Sequence, residues 1–333
     1  MLFSVTNRLF FLVSVLYLAR HSPDLNLFVG VAVAADFIHN ILMTIFSKRF
    51  VTPKFKIEYD LVKKILLEAL PIAVSTVFIM IYFRVDMVML SFLTNDTDVG
   101  FYSAAYRLTE ALTFIPSVLM VSIYPIMSKY FSEGNKAFDY IYTKSFKILF
   151  ASGLLIATIV TFLSEKIILE IYGPEYYGSV IALQVLIWAT SIMFVNQLLS
   201  STYIASGNQK IMAKISAIAA VLNIGLNLLL IPSYSYTGAS IATFFTELIV
   251  MIYGIYWINK NIIHIELFKE IICPSISVCI SSAFLIVLRN YTDIVPLIIV
   301  SILIFTGILY ITGWIDSDDI MLLKRFIPKK TDN

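Results

Sequence analysis

The sequence predicts an all-α integral membrane protein with about ten transmembrane helices. Two observations carry that prediction. Hydrophobic residues make up 59% of the 333 residues and charged residues only 14%, against about 25% charged in soluble domains. The apolar residues also come in long runs separated by short, lysine-bearing segments. A soluble chain of this size needs polar cover over much of its surface, whereas a bilayer accepts apolar surface directly. The runs lack the alternation of strands and are too long for barrel strands. In lipid every backbone N–H and C=O must be satisfied within its own segment, which leaves the helix.

Taken in order, the runs long enough to cross a hydrocarbon core of about 20 residues are 2–18, 27–46, 71–93, 102–127, 146–163, 178–204, 211–231, 237–258, 271–288 and 294–314. Arg8 precedes the first run, as in a signal peptide, but the run ends Ala19-Arg20-His21 without a small-x-small cleavage site. It is read as a helix that stays. With a cytoplasmic N-terminus, 19 of the 24 Lys and Arg residues fall on cytoplasmic segments. Arg20, Lys166 and Arg289 fall outside, and Arg84 and Arg107 lie within spans. Both termini are therefore expected in the cytoplasm. The net charge of +2 gives no reason to expect a nucleic-acid partner. Cys273 and Cys279 sit in one apolar run, without metal-ligand companions, so neither a disulfide nor a metal site is expected.

Segment 47–70 is the longest cytoplasmic connection. Asp60 is placed to cap a helix in which Leu61, Val62, Ile65, Leu66 and Ala69 share a face, with Lys63, Lys64 and Glu68 off it. That pattern predicts a helix lying on the membrane surface. The organisation reads as two helices in 1–46, a linker in 47–70, six helices in 71–258, two more in 271–314 and a tail in 315–333. The external loops are short, and no soluble domain fits in them.

Three stretches carry a resemblance. The first is Pro71 with Arg84-Val85-Asp86, followed by Val99-Gly100-Phe101-Tyr102-Ser103-Ala104-Ala105-Tyr106-Arg107-Leu108. The second is Tyr172-Gly173-Pro174-Glu175-Tyr176 and, beyond the next span, Gly207-Asn208-Gln209-Lys210. The third is Asn223, Leu226-Asn227, Ile231-Pro232, Tyr234, Gly238-Ala239 and Thr246-Glu247. In this order and spacing they resemble the Wzx-like, polysaccharide-transporter branch of the multidrug/oligosaccharidyl-lipid/polysaccharide (MOP) flippase superfamily, with a MATE-like lobe architecture. Ser235 stands where such flippases often have glycine. The resemblance implies that 71–258 is the complete second six-helix lobe. It also implies that the first two spans are the fifth and sixth helices of a chain lacking its first four.

Ionisable groups inside the bilayer cost about 2.5–3.5 kcal/mol each on insertion scales. Here they are Asp36, Arg84, Asp86, Arg107, Glu110 and Glu247. Counted from the turn near Asn95, Asp86 lies at the depth of Arg107 and Arg84 at the depth of Glu110. Two readings stand. In one, Arg84 and Arg107 attract a lipid diphosphate in a cavity, while Asp86, Glu110 or Glu247 titrates or binds a coupling cation. In the other, the hairpin charges are structural ion pairs. Asp36 shares a face with His39 and Asn40, which suits a proton relay or a polar seam. Asn196 and Gln197 sit at mid-membrane depth, in reach of sugar hydroxyls. Asn223 and Asn227 lie one turn apart and suit interhelical hydrogen bonds.

The leading function implied is a flippase in the cytoplasmic (inner) membrane of a prokaryote. It would export a polyprenyl-diphosphate-linked oligosaccharide by alternating access, with membrane lipids around it and a coupling cation as a further partner. A drug/cation antiporter of the same superfamily and an inactive truncated remnant are the alternatives. A membrane glycosyltransferase or polysaccharide polymerase is disfavoured, since Ala19–Asn26 is too small a first external loop and carries one acid, Asp24. No Ser/His/Asp or metal-ligand spacing appears, so no enzyme activity and no cofactor are expected.

Overall fold

A computed structural model describes residues 25–48, 58–133, 137–263, 267–288 and 294–316, together with Ser14. Among them the regular structure is helical. The helices are α1 (Leu25–Ser47), α2 (Tyr59–Leu93), α3 (Asp96–Leu112), α4 (Phe114–Ser132), α5 (Ala137–Tyr172), α6 (Ser179–Ala205), α7 (Gln209–Asn261), α8 (Phe268–Leu288) and α9 (Ile294–Ile311), with a 3-10 turn at Pro174–Tyr176. Each expected span from 27–46 onward coincides with helix, the span 102–127 being divided between α3 and α4. The first, 2–18, lies outside the described residues but for Ser14, as does the tail from 317. The chain divides into two compact units, Met1–Ile65 and Leu66–Asn333. Residues 59–70, expected as a separate surface helix, run into the third span without a break.

Local chemistry sets the helix ends. Asn95 caps α3, its Oδ1 accepting from the Asp98 N–H at 3.0 Å. Asp96 and Asp98 add negative charge where the helix dipole favours it. The expected fourth span breaks at Thr113 into α3 and α4, and the Thr113 hydroxyl donates to the Glu110 carbonyl (2.7 Å). Gly173 takes φ 88° before Pro174, a conformation that β-carbon-bearing residues resist.

Within the second unit α6 is the central element, packed against α5, α7, α3 and α4. Its burial explains why the run 178–204 lacks a polar stripe: it meets protein on most sides. At Gly153 of α5 a β-carbon would lie 2.8 Å from the Ser191 carbonyl of α6, so the two backbones touch only because glycine is there. Helices α8 and α9 pack on each other and on α5.

Helix α7 consists of two arms joined by a sharp reversal. Ser235 has φ 49° and ψ −133°, and a β-carbon on Gly238 would lie 2.4 Å from the Leu230 carbonyl oxygen. Residues eight apart approach so closely only if the chain reverses. The Ser235 hydroxyl donates to Asp98 Oδ2, and Phe101 meets Tyr176 and Tyr236 edge-on. The turns near residues 95, 175 and 235 therefore share one end. At another site of the unit Lys144 binds Asp316 (2.7 Å), and Lys269 donates to the Gly313 carbonyl (3.2 Å).

Candidate functional site

A cavity of about 420 Å³ lies among α2, α3, α4, α6 and both arms of α7. Its wall carries Arg84 from α2, Glu110 from α3, Asn196 and Gln197 from α6, and Glu247 from the second arm of α7. Apolar residues such as Ile79, Leu186 and Met212 make up much of the rest. Five of the residues singled out in the sequence thus meet at one cavity.

Arg84 reaches Glu110, Nη2 to Oε1, at 3.4 Å. Both side chains are about half exposed or more, so the contact is loose and leaves the guanidinium donors for another acceptor. Glu247, by contrast, is buried. Asn196 Nδ2 donates to its Oε2 and to its backbone carbonyl (3.2 Å). Gln197 is exposed toward the cavity side of α6.

Asp86 stands apart from the cavity lining and is 1% exposed. Its Oδ2 accepts from the Tyr102 hydroxyl (2.8 Å) and the Thr243 hydroxyl (2.6 Å). Its Oδ1 accepts from Asn227 Nδ2 (2.6 Å), which also donates to Asn223 Oδ1 (3.0 Å). One carboxylate thus ties α2 to α3 and to both arms of α7. The expected Asp86–Arg107 pair does not form. On α3 the packed face is Tyr102, Ala105, Tyr106 and Thr109. Arg107 follows Tyr106 by one residue, about 100° around the helix, and is exposed and outside the cavity lining. The cavity wall therefore carries one guanidinium and two carboxylates rather than two guanidiniums.

Asp36 is in the other unit, where it is exposed and its backbone carbonyl accepts from Asn40 Nδ2 (2.8 Å). The interhelical hydrogen bond expected of Asn223 and Asn227 is made by Asn227, to Asp86, while Asn223 accepts from Asn227 within α7. Sequence reasoning missed Thr243 and Tyr102. Thr243 was detectable as the residue one turn before Glu247, on the same helix face; Tyr102 carried no signal beyond its place in the hairpin. Cys273 and Cys279 are free thiols. Among the described residues no three His, Cys, Asp or Glu side chains gather closely enough for a metal.

Apolar helices, several long enough to cross a membrane, around a cavity that carries three charged side chains define the class: a multi-pass membrane protein. The comparisons with known proteins narrow that class. The polysaccharide biosynthesis protein family matches over residues 1–131 and the MatE family over residues 71–229. The capsular polysaccharide biosynthesis protein CapF of Staphylococcus aureus is 25% identical over 201 residues, 60% of this chain and 50% of that protein. An uncharacterized membrane protein of Methanocaldococcus jannaschii is 26% identical over 187 residues, 56% of this chain and 37% of that one. The chain spans about half or less of the length of these relatives. Among solved structures, the lipid II flippase MurJ in an inward closed conformation superposes with a TM-score of 0.73 at 18% identity, over 92% of this chain and 66% of that one. A MOP superfamily transporter from Pyrococcus furiosus, described as having a binding pocket of reversed polarity, gives 0.53 at 16% identity over 74% and 65%. Each family match covers less than half of the chain, and the solved structures establish a likeness of fold.

Proposed function

We propose that the chain serves as a flippase, carrying a polyprenyl-diphosphate-linked oligosaccharide across the cytoplasmic membrane for cell-surface polysaccharide synthesis. The observation that carries the reading is the cavity in the bundle, where Arg84 offers exposed guanidinium donors among amide and hydroxyl groups. Guanidinium keeps its charge and presents forked donors, which suits a diphosphate. Asn196, Gln197, Thr190 and Ser200 on α6 offer neutral partners for sugar hydroxyls. The match to the polysaccharide biosynthesis family and the likeness to CapF support the substrate class. In this reading both termini are cytoplasmic, the Ser235 turn is external, and the cavity changes access by alternating exposure.

The coupling cation is assigned to Asp86. Its neighbours are neutral oxygen and amide groups, and the Asn227 Oδ1 is buried without a donor. A small monovalent cation could gather Asp86, that amide oxygen and the Thr243 hydroxyl, and so answer the carboxylate's charge, as hard cations prefer oxygen ligands. Glu110 acts as the partner that holds Arg84 until phosphate replaces it.

Expression in cells lacking their own flippase, with surface glycan as the readout, tests the proposal. Arg84→Gln should cut export about tenfold, the worth of a charged contact of roughly 1.4 kcal/mol, with Arg84→Lys retaining part of it. Normal export by Arg84→Gln at equal membrane expression would refute the diphosphate role. A drug/cation antiporter is the second reading, favoured by the two carboxylates against one guanidinium on the wall and by the MatE match. Resistance to cationic drugs without glycan export would select it.

A further inference from the structure

Glu247 leaves more unsettled than any other cavity residue. It is 2% exposed, and among the described residues no lysine, arginine or histidine pairs with it. Asn196 Nδ2 faces both the Glu247 carboxylate and the Glu247 backbone carbonyl. Both are acceptors, so the amide orientation is fixed: the NH2 group points at Glu247 and Oδ1 points away. Asn196 Oδ1 and Glu247 Oε1 are then two buried acceptors, on adjacent helices, that no donor reaches. Buried polar atoms are nearly always paired, and an unpaired one marks a place where something else belongs.

What belongs there is a donor, and the chemistry narrows it further. Water or a hydroxyl supplies hydrogen bonds but leaves a carboxylate's charge uncompensated, and protonation of Glu247 removes the charge but brings no donor to Asn196 Oδ1, which points away from it. A multivalent metal needs several anionic ligands, and only one is present, with no group of three candidate ligands among the described residues. The same cavity holds its one lining cation, Arg84, against Glu110 rather than Glu247. A protonated amine fits, bringing a positive charge and several donors in a small volume; a bare monovalent cation, the occupant proposed at Asp86, is the competing outcome that the sodium arm below decides.

We propose that the Asn196–Glu247 pair is a subsite for a protonated amine on the sugar head of the transported lipid. The proposal rests on the flippase reading of the same cavity and deepens it. The substrate head becomes zwitterionic, with its diphosphate on Arg84 and an unacetylated amino sugar on Glu247. Arg84 and Glu247 then have one explanation.

The test uses the purified chain in lipid nanodiscs, with D-glucosamine as probe. Its N-acetylated form, glucose, methylammonium and sodium chloride serve as comparisons. In the wild-type protein, covalent labelling of Glu247 by a lipid-soluble carbodiimide is followed by mass spectrometry of the adduct, which needs no variant. Binding of radiolabelled glucosamine is measured in parallel for wild type and Glu247→Gln, each checked for a monodisperse profile. The expected results are saturable binding of glucosamine, protection of Glu247 by it, and affinity about tenfold weaker for glucose, for N-acetylglucosamine and in Glu247→Gln, corresponding to about 1.4 kcal/mol. Equal affinity for glucose and glucosamine, unchanged affinity in Glu247→Gln, protection by sodium alone, or no protection by glucosamine would each overturn the amine subsite. Glycan export in the flippase-deficient cells separates the two failures. If export persists while the subsite fails, the flippase reading stands and this proposal alone falls. If methylammonium protects and glucosamine does not, and export is absent, both fall.

Discussion

At the scale of single residues, a carboxylate sealed from water is tolerable only when its lone pairs are filled. Asp86 fills them with a tyrosine hydroxyl, a threonine hydroxyl and an amide. If a monovalent cation completes this cluster, ligand linkage makes it stabilising: at ten times its dissociation constant it contributes about 1.4 kcal/mol, or a rise in melting temperature of about 2–4 °C. Sodium should therefore raise the melting temperature of the wild type over choline at equal ionic strength, and Asp86→Asn should abolish the rise. A sodium shift that survives Asp86→Asn would place the ion elsewhere. Arg107 offers the control. Because it is exposed and outside the cavity lining, Arg107→Ala should change stability by less than about 0.5 kcal/mol and leave export near wild type, unlike Arg84→Gln. Counting residues from the turn matched Arg84 with Glu110, and the two meet at 3.4 Å. Depth does not fix azimuth, however, and azimuth is what turned Arg107 outward and gave Asp86 to Asn227 and Thr243, 141 and 157 residues away. The phase of Tyr102, Ala105, Tyr106 and Thr109 contained the azimuth of Arg107; nothing local contained the partners of Asp86.

At the scale of elements, the reversal within α7 depends on two positions. Ser235 holds φ 49°, a left-handed conformation that costs a β-carbon residue about 1–2 kcal/mol, and its hydroxyl repays part of that through Asp98. Ser235→Ala loses the hydrogen bond and keeps the strain; Ser235→Gly loses the bond and relieves the strain. The glycine variant should thus melt higher than the alanine variant, by a difference of about 1 kcal/mol. Equal melting temperatures would mean the backbone is not strained there. Gly238→Val places branched atoms where even a β-carbon lies 2.4 Å from a backbone oxygen, and should cost about 1–3 kcal/mol or more. The hydrophobic runs showed both arms and the gap between residues 231 and 237. They did not show the continuity of α2 through residues 59–93, because an amphipathic start followed by an apolar span reads as two elements when no tertiary contact is known.

At the scale of the whole molecule, the turns near residues 95, 175 and 235 share one end, and the distribution of lysines predicts that this end is external. With Cys273 and Cys279 replaced by serine, single cysteines at Asn95 and Glu175 should react with an impermeant thiol reagent in intact cells. Cysteines at Lys56, Lys136 and the C-terminus should react only after permeabilisation. Labelling of position 136 without labelling of 175 would invert the orientation and with it the direction proposed for the cavity.

The most direct measurement of the central claim is translocation itself. The purified chain is reconstituted in liposomes with a fluorescent polyprenyl-diphosphate oligosaccharide, and the exposure of inner-leaflet glycan to an impermeant quencher is followed in time. The predicted result is protein-dependent exposure that is absent from empty liposomes and about tenfold slower with Arg84→Gln. Exposure no faster than in empty liposomes, with release of a lipophilic cation from the same vesicles, would contradict the flippase and identify a cation transporter instead.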